Sequence, residues 1–235
     1  LLFLTVWELF ADFHIIDSFF FSSPSRVVAC FVRMVLERSL FTHIGITLTE
    51  TVISFFLVAL VSLSAATLLW YSRRLSEILE PFLVVLNSLP KSALAPLLIV
   101  WLGTGMDTII AAGISVAIFG AIINLYTGFL QADPEKLLLI RTLGGTRRDC
   151  FFKVVLPASI PVILSNMKVN IGLSLVGVVI GEFLAARRGL GYLIIYGSQV
   201  LQLDMLITSI LLLCIIAMGL YQLLQFAEHC YKKKV

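Results

Sequence analysis

The chain has 235 residues, 60% of them hydrophobic and 13% charged, with a mean hydropathy of +1.04 and a net charge of +3. Soluble domains are about half apolar and about a quarter charged, so this composition excludes an ordinary soluble domain and points to a membrane protein. So small a net charge gives no reason to expect a nucleic-acid partner.

The opening LLFLTVWELF (1–10) is too short to cross a bilayer alone and lacks an initial Met. It reads as the remnant of a cropped first span, without the basic start and small-residue cleavage site of a secretory signal. SPSRVVACFVRMVLER (23–38) follows, with Ser23 and Pro24 as a helix start. Val27, Val28, Phe31, Met34 and Val35 recur at helical spacing, whereas Arg26, Arg33, Glu37 and Arg38 make the segment too polar to span. An interfacial helix on the outer face is expected, with a soluble cap on the bundle as the alternative.

A bilayer crossing needs about 20 apolar residues. Residues 51–72, 108–132 and 205–227 contain no Asp, Glu, Lys or Arg and read as transmembrane helices. Two further stretches are long enough but interrupted: 78–102, with Pro90, Lys91 and Pro96, and 161–185, with Lys168 and Glu182. The expected fold is all-α, a polytopic membrane bundle of five to six transmembrane helices in a single domain over 1–235. Ten Lys and Arg (Arg73, Arg74, Lys136, Arg141, Arg147, Arg148, Lys153 and Lys232 to Lys234) fall on one side of this arrangement, against five on the other. The excess places 131–160 and the C-terminus in the cytoplasm of a multi-pass membrane protein.

Within 78–102, proline removes a backbone donor, so the helix is expected to break near Asn87 and Lys91. A broken polar helix at mid-membrane marks a gate or binding site. Lys91 there would favour an anionic cargo, or else pair with a carboxylate such as Glu50. In 161–185, Asn166, Asn170, Ser174, Gly177 and Gly181 step by four, four, three and four and share one face. That stripe reads as a translocation path or as a small-residue helix crossing. Lys168 is expected to snorkel; Glu182 is expected to meet a delivering partner or to pair with Arg187 or Arg188.

Between the spans, Asp133 and Pro134 open a short helix that Gly144-Gly145 close. Thr146 caps a second helix, which Pro157 and Pro161 are expected to end. Residues 131–153 hold eight of the 31 charges, yet Leu137, Leu138, Leu139, Ile140 and Leu143 leave the first helix largely apolar. Outside the bilayer that surface needs a cover, and a groove on a partner protein with basic residues at the rim would supply one.

DPEKLLLIRTLGGTRRDCFFKVVLPASIP (133–161) resembles the cytoplasmic loop of permease subunits of binding-protein-dependent ABC importers, the MetI-like permeases. FSSPSRVV (21–28), SRRLSEILEPFL (72–83), LAPLLIVWLGTG (94–105) and RGLGYLI (188–194) extend the likeness over nearly the whole chain. It is nearest the subgroup importing nitrate, sulfonates, taurine, bicarbonate and thiamine-precursor pyrimidines. The resemblance implies a bacterial inner-membrane protein working with cytoplasmic ATPase subunits, an extracytoplasmic solute-binding protein and a second permease copy or homologue, with a homodimer expected. It implies ATPase coupling through Asp133, Leu139, Ile140, Arg141, Thr142, Leu143, Gly144, Gly145, Arg147, Arg148, Lys153 and Pro157. The path is expected along Asn87, Lys91, Asn166, Asn170, Ser174 and Glu182. Leu138, Leu139 and Ile140 stand where the family usually has Glu-Ala-Ala, so one charged ATPase contact is replaced.

There is no GxxxxGK[ST], so ATP is expected on the partner and no cofactor on this chain. Cys30, Cys150, Cys214 and Cys230 have no ligand spacing, His14, His43 and His229 are scattered, and no nucleophile elbow or HExxH occurs. Neither metal nor catalysis is expected. An ion-coupled secondary transporter would show internal repeats and paired mid-membrane acids, and a scaffold would have no use for the polar faces.

Overall fold

The computed structural model describes residues 5–8, 10, 13 and 22–233, and among these it is all-α. Half of the expected remnant span at 1–10 falls outside the described residues, as does His14.

Helix α1 (Pro24–Leu36) starts where the sequence signal lies: the Ser23 hydroxyl accepts from the Arg26 N–H at 3.4 Å. It buries Val27 and Met34, and Arg26 pairs with Asp204 at 3.4 Å, which holds it along the bundle's side. Helix α2 (Ser39–Tyr71) is 33 residues long and crosses the bundle. Helices α3 (Arg73–Ser88) and α4 (Lys91–Leu102) are the broken span, bent by 97° at Leu89-Pro90. Pro90 has no N–H for the Leu86 carbonyl four residues before it. The Lys91 ammonium donates to that oxygen instead and lies over the Phe119 ring, 5.0 Å from its centroid. Lys91 therefore staples the break, and it does not pair with Glu50.

Helix α5 (Met106–Leu130) is the central element. Helix α6 (Pro134–Thr142) and the single turn α7 (Arg147–Cys150) form the connection out of the bundle. A π-turn over Phe151–Val155 then leads without interruption into α8 (Leu156–Ala185). Pro157 and Pro161 do not end this helix, contrary to expectation. The Leu156 N–H reaches back five residues to the Phe151 carbonyl, and the widened turn makes room for the Pro157 ring. Helix α9 (Leu190–Gln199) and the long α10 (Leu203–Lys232) complete the chain. Lys168 does not snorkel freely; it pairs with Glu228 of α10 at 2.6 Å.

The core lies where α2, α5 and α8 cross. Gly177 sits against the Ala112 carbonyl and the Gly113 Cα, and Gly181 against the Ile109 Cα, so α5 and α8 approach backbone to backbone. Val58, Ala117 and Ala121 fill the adjoining layer. Among the described residues four helices are long and apolar enough to cross a membrane, and the bent α3–α4 pair would make a fifth crossing.

Candidate functional site

Helix α6 stands at one end of the bundle and buries none of its own residues. Its caps are those the sequence announced. The Asp133 carboxylate accepts the Glu135 N–H at 2.9 Å. At the other end the Gly145 N–H bonds to the Ile140 carbonyl and the Gly144 N–H to the Arg141 carbonyl, with Gly144 at φ +81°. This left-handed closure is what the Gly-Gly pair supplies. Leu137 packs inward on the aromatic cluster, whereas Leu138, Leu139 and Leu143 are 61%, 57% and 76% exposed. Ile140 is half-buried against Gly145; Thr142 turns back on the Leu139 carbonyl. Arg141 is exposed and makes no ion pair among the described residues.

The base of this protrusion is stiff. Thr146 and Asp149 form a reciprocal cap, and Lys153 pairs with Asp149 at 2.9 Å. These hydrogen bonds from Thr146, followed by Lys153, hold the Asp149 carboxyl well below the usual range. Phe151 is buried among Trp70, Tyr71, Phe129 and Phe152, with ring centroids 5.2–5.5 Å apart. Arg147 does not point away from the bundle: it donates to the Trp70 carbonyl at 3.0 Å and lies over the Trp70 ring. A guanidinium on a last-turn carbonyl of α2 complements that helix's negative end. Arg148 leans over Phe152, and the buried Cys150 thiol faces the Leu137 carbonyl at 3.8 Å, tying α7 to α6.

The expected path residues are not brought together on one open surface. Asn166, Asn170 and Ser174 are buried inside the protomer, and the Asn166 amide donates to the Ala121 carbonyl at 3.4 Å. With Gly177 and Gly181 on the same face against α5, the stripe is a helix-crossing seam within the single chain. Asn87 is exposed at the α3 end, beside Gly120 of α5.

Glu182 is also misplaced by the sequence reading. It is 0% exposed and pairs with neither Arg187 nor Arg188. Its carboxylate accepts from the Thr47 hydroxyl at 2.6 Å and from the Gly191 N–H at 2.5 Å. The Thr47 oxygen in turn accepts from the Leu190 N–H at 2.9 Å, and His43 Nδ1 accepts from the Gly189 N–H at 2.9 Å. Glu182, Thr47 and His43 thus fasten the 189–191 turn at the end of α8 remote from α6. The sequence reading missed Thr47 and His43, and gave Trp70 and Phe151 no role. A polar residue at intervals along an apolar span was the available signal for Thr47.

Residues 58–227 match the family described as binding-protein-dependent transport system inner membrane component. The chain belongs to this family. It is therefore a permease subunit of an ABC importer, a membrane-embedded carrier component and not an enzyme. A probable ABC transporter permease protein of Haemophilus influenzae is 30% identical over 96% of this chain and 91% of its own length. The formylaminopyrimidine transport permease protein ThiX of Halalkalibacterium halodurans is 27% identical over 82% of the chain and 76% of its own length. The putative aliphatic sulfonates transport permease protein SsuC of Bacillus subtilis is 26% identical over 91% and 77%. Among solved structures, an inward-facing form of the MetNI methionine ABC transporter shares the fold. It has a TM-score of 0.69 at 19% identity, covering 85% of this chain and 97% of that one.

Proposed function

We propose that two copies of this permease form the path for a small anionic solute of the sulfonate kind, delivered by an external binding protein. A separate ATPase drives the cycle by gripping α6 in the cytoplasm. The observation that carries the reading is the exposure of Leu138, Leu139 and Leu143 on a capped helix outside the bundle. A short helix with an apolar outer face needs a groove to lie in, and Arg141 at its C-terminal end gives that groove an ionic rim. Gly144 and Gly145 form the joint, and the Phe151 cluster with Arg147 forms the root, so a pull on α6 moves α8 with it. Nucleotide-driven closure of the two ATPases draws the two α6 helices together and rocks the bundle from inward-facing to outward-facing.

The excess of Lys and Arg at the α6 end and at the C-terminus supports placing both in the cytoplasm. For the cargo, the sulfonate relative supports an anion, and the formylaminopyrimidine relative favours a thiamine-precursor pyrimidine as the second reading.

Crosslinking tests the docking. Leu139→Cys is expected to join to an ATP-hydrolysing subunit in intact membranes. Labelling of the same cysteine by an impermeant reagent on the outer face would refute the topology. Calorimetry of the cognate binding protein with taurine, an alkanesulfonate and formylaminopyrimidine separates the two cargo readings.

A further inference from the structure

Helices α5 and α8 turn an uncharged polar strip to the outside of the protomer, where hydrocarbon would leave it unsatisfied. Gly120, Asn124 and Thr127 of α5 and its capping residue Gln131 follow at steps of four, three and four and share a face; the last three are exposed. Asn124 lies six residues before the end of α5 at Leu130, roughly 9 Å inside it at 1.5 Å per residue. Ser165 of α8 is exposed beside them, and the two helices enclose a groove of about 480 Å³. Asn166 lines it too. It is 6% exposed, its amide nitrogen is spent on the Ala121 carbonyl, and its buried Oδ1 has no partner. An amide acceptor held out of water without a donor carries a desolvation penalty. Amides facing lipid would carry the same penalty, so this face meets water or protein.

We propose that this groove, and not the buried stripe on α8, is where the permease holds its cargo. The inference rests on the two-copy permease reading, with the groove facing the space between the copies. Among the described residues no charged side chain lines it. Asn124, Thr127, Gln131 and Ser165 offer exposed amide and hydroxyl groups that replace a solute's hydration shell. The site therefore holds its small anionic solute by hydrogen bonds from these amides and hydroxyls and not by Coulomb attraction. Lys91 adds no free charge, because its ammonium is engaged at the α3–α4 break.

The test uses the full transporter, with its ATPase and binding protein, in membrane vesicles. Cys30, Cys214 and Cys230 are replaced by alanine, and the buried Cys150 is kept. Ser165→Cys is compared with Ile215→Cys, which lies on the exposed apolar strip of Leu211, Ile215 and Met218 on α10. Methanethiosulfonate ethylsulfonate and ethyltrimethylammonium are the probes. Ser165→Cys is expected to react at least about tenfold faster than Ile215→Cys, because only a hydrated cavity admits a charged reagent at that depth. The two reagents are expected to agree within about threefold once scaled to a free thiol, since no fixed charge lines the groove. Asn124→Leu is expected to lower uptake at least about tenfold while the complex still assembles with its ATPase. Uptake unchanged by Asn124→Leu would overturn the site. The two readings fail separately. A chain that never co-purifies with an ATPase refutes the two-copy coupling, whereas a complex that keeps its ATPase but leaves Ser165→Cys as inert as Ile215→Cys refutes the groove.

Discussion

Replacing Gly177 by Ala tests whether the α8 stripe is a packing seam. A Cβ at Gly177 would lie 2.8 Å from the Ala112 carbonyl oxygen, 2.8 Å from the Gly113 Cα and 2.9 Å from a Val116 methyl. Ordinary contact begins at 3.4 Å, so α5 and α8 must separate by about 0.6 Å, and two of the three obstacles are backbone. Gly172 lies on the same helix with nothing within 4 Å of its would-be Cβ. Both substitutions gain the same helix propensity, up to about 1 kcal/mol. Their difference therefore isolates the overpacking cost, about 1–3 kcal/mol. For a chain of this size each kcal/mol moves the midpoint by about 2–4 °C, so Gly177→Ala should melt about 2–12 °C below Gly172→Ala in detergent. Thermal unfolding followed by tryptophan fluorescence reads the gap. Equal midpoints would mean that the two helices do not meet at Gly177, and the stripe would be free to face a path.

Three further outcomes follow from the site. Leu143→Asp, at a side chain 76% exposed, should leave the melting temperature within about 2 °C of wild type, since exposed substitutions cost little. It should strip the ATPase from the purified complex, which co-purification reads. Gly144→Val places a β-branched residue at φ +81°, at a cost of about 1–2 kcal/mol in the turn that closes α6. Uptake per ATP hydrolysed should fall while membrane insertion is unchanged, as a coupled transport assay would show. Thr47→Val removes the hydroxyl that bridges Glu182 and the Leu190 N–H and leaves both partners buried. Glu182 keeps its bond from the Gly191 N–H, so the cost is about 1–3 kcal/mol for the orphaned Leu190 N–H, and a Tm unchanged from wild type would refute the fastening.

Much of this architecture was legible because membrane helices announce themselves locally. Charge-free runs gave α2, α5 and α10, and Asp133-Pro134 and Gly144-Gly145 gave both ends of α6. Pro90 gave the break between α3 and α4. The failures were of tertiary origin. The rule that proline stops a helix holds for a regular α-turn, and the π-turn at Phe151–Val155 sets the rule aside without any marker in the residues themselves. Helical spacing placed Asn166, Asn170 and Ser174 on one face correctly, but a period does not say whether that face meets lipid, water or another helix. Gly177 and Gly181 decided the matter, because small residues on the same face let α5 close over it. The polar steps at Asn124, Thr127 and Gln131 carried the same periodic signal and were passed over because their span holds no charge. Lys91 and Glu182 drew attention as isolated charges, and both are absorbed by backbone groups that a bend or a turn leaves exposed.

The seam, the root and the fastened turn belong to one element. From Arg147 to Ala185 the chain is a single helical rod of 39 residues, roughly 58 Å at 1.5 Å per residue, and it exceeds the bilayer core of about 30 Å. Its α6 end is gripped by Phe151 among four aromatic rings and by Arg147 on the end of α2. Its far end is gripped by Glu182 through Thr47, again on α2, and through the 189–191 turn. Both grips involve α2, and between them Gly177 and Gly181 hold the rod against α5. A force at α6 therefore cannot bend α8 locally without breaking a buried aromatic cluster or a buried carboxylate network. The lower-cost response is to carry α2, α5 and α8 together as a block. The joint outside that block is Gly144-Gly145, where a left-handed glycine closes α6. On the coupling proposed above, rocking carries the three-helix block as a unit relative to α3 and α4, and the proposed groove on α5 and α8 would ride with it.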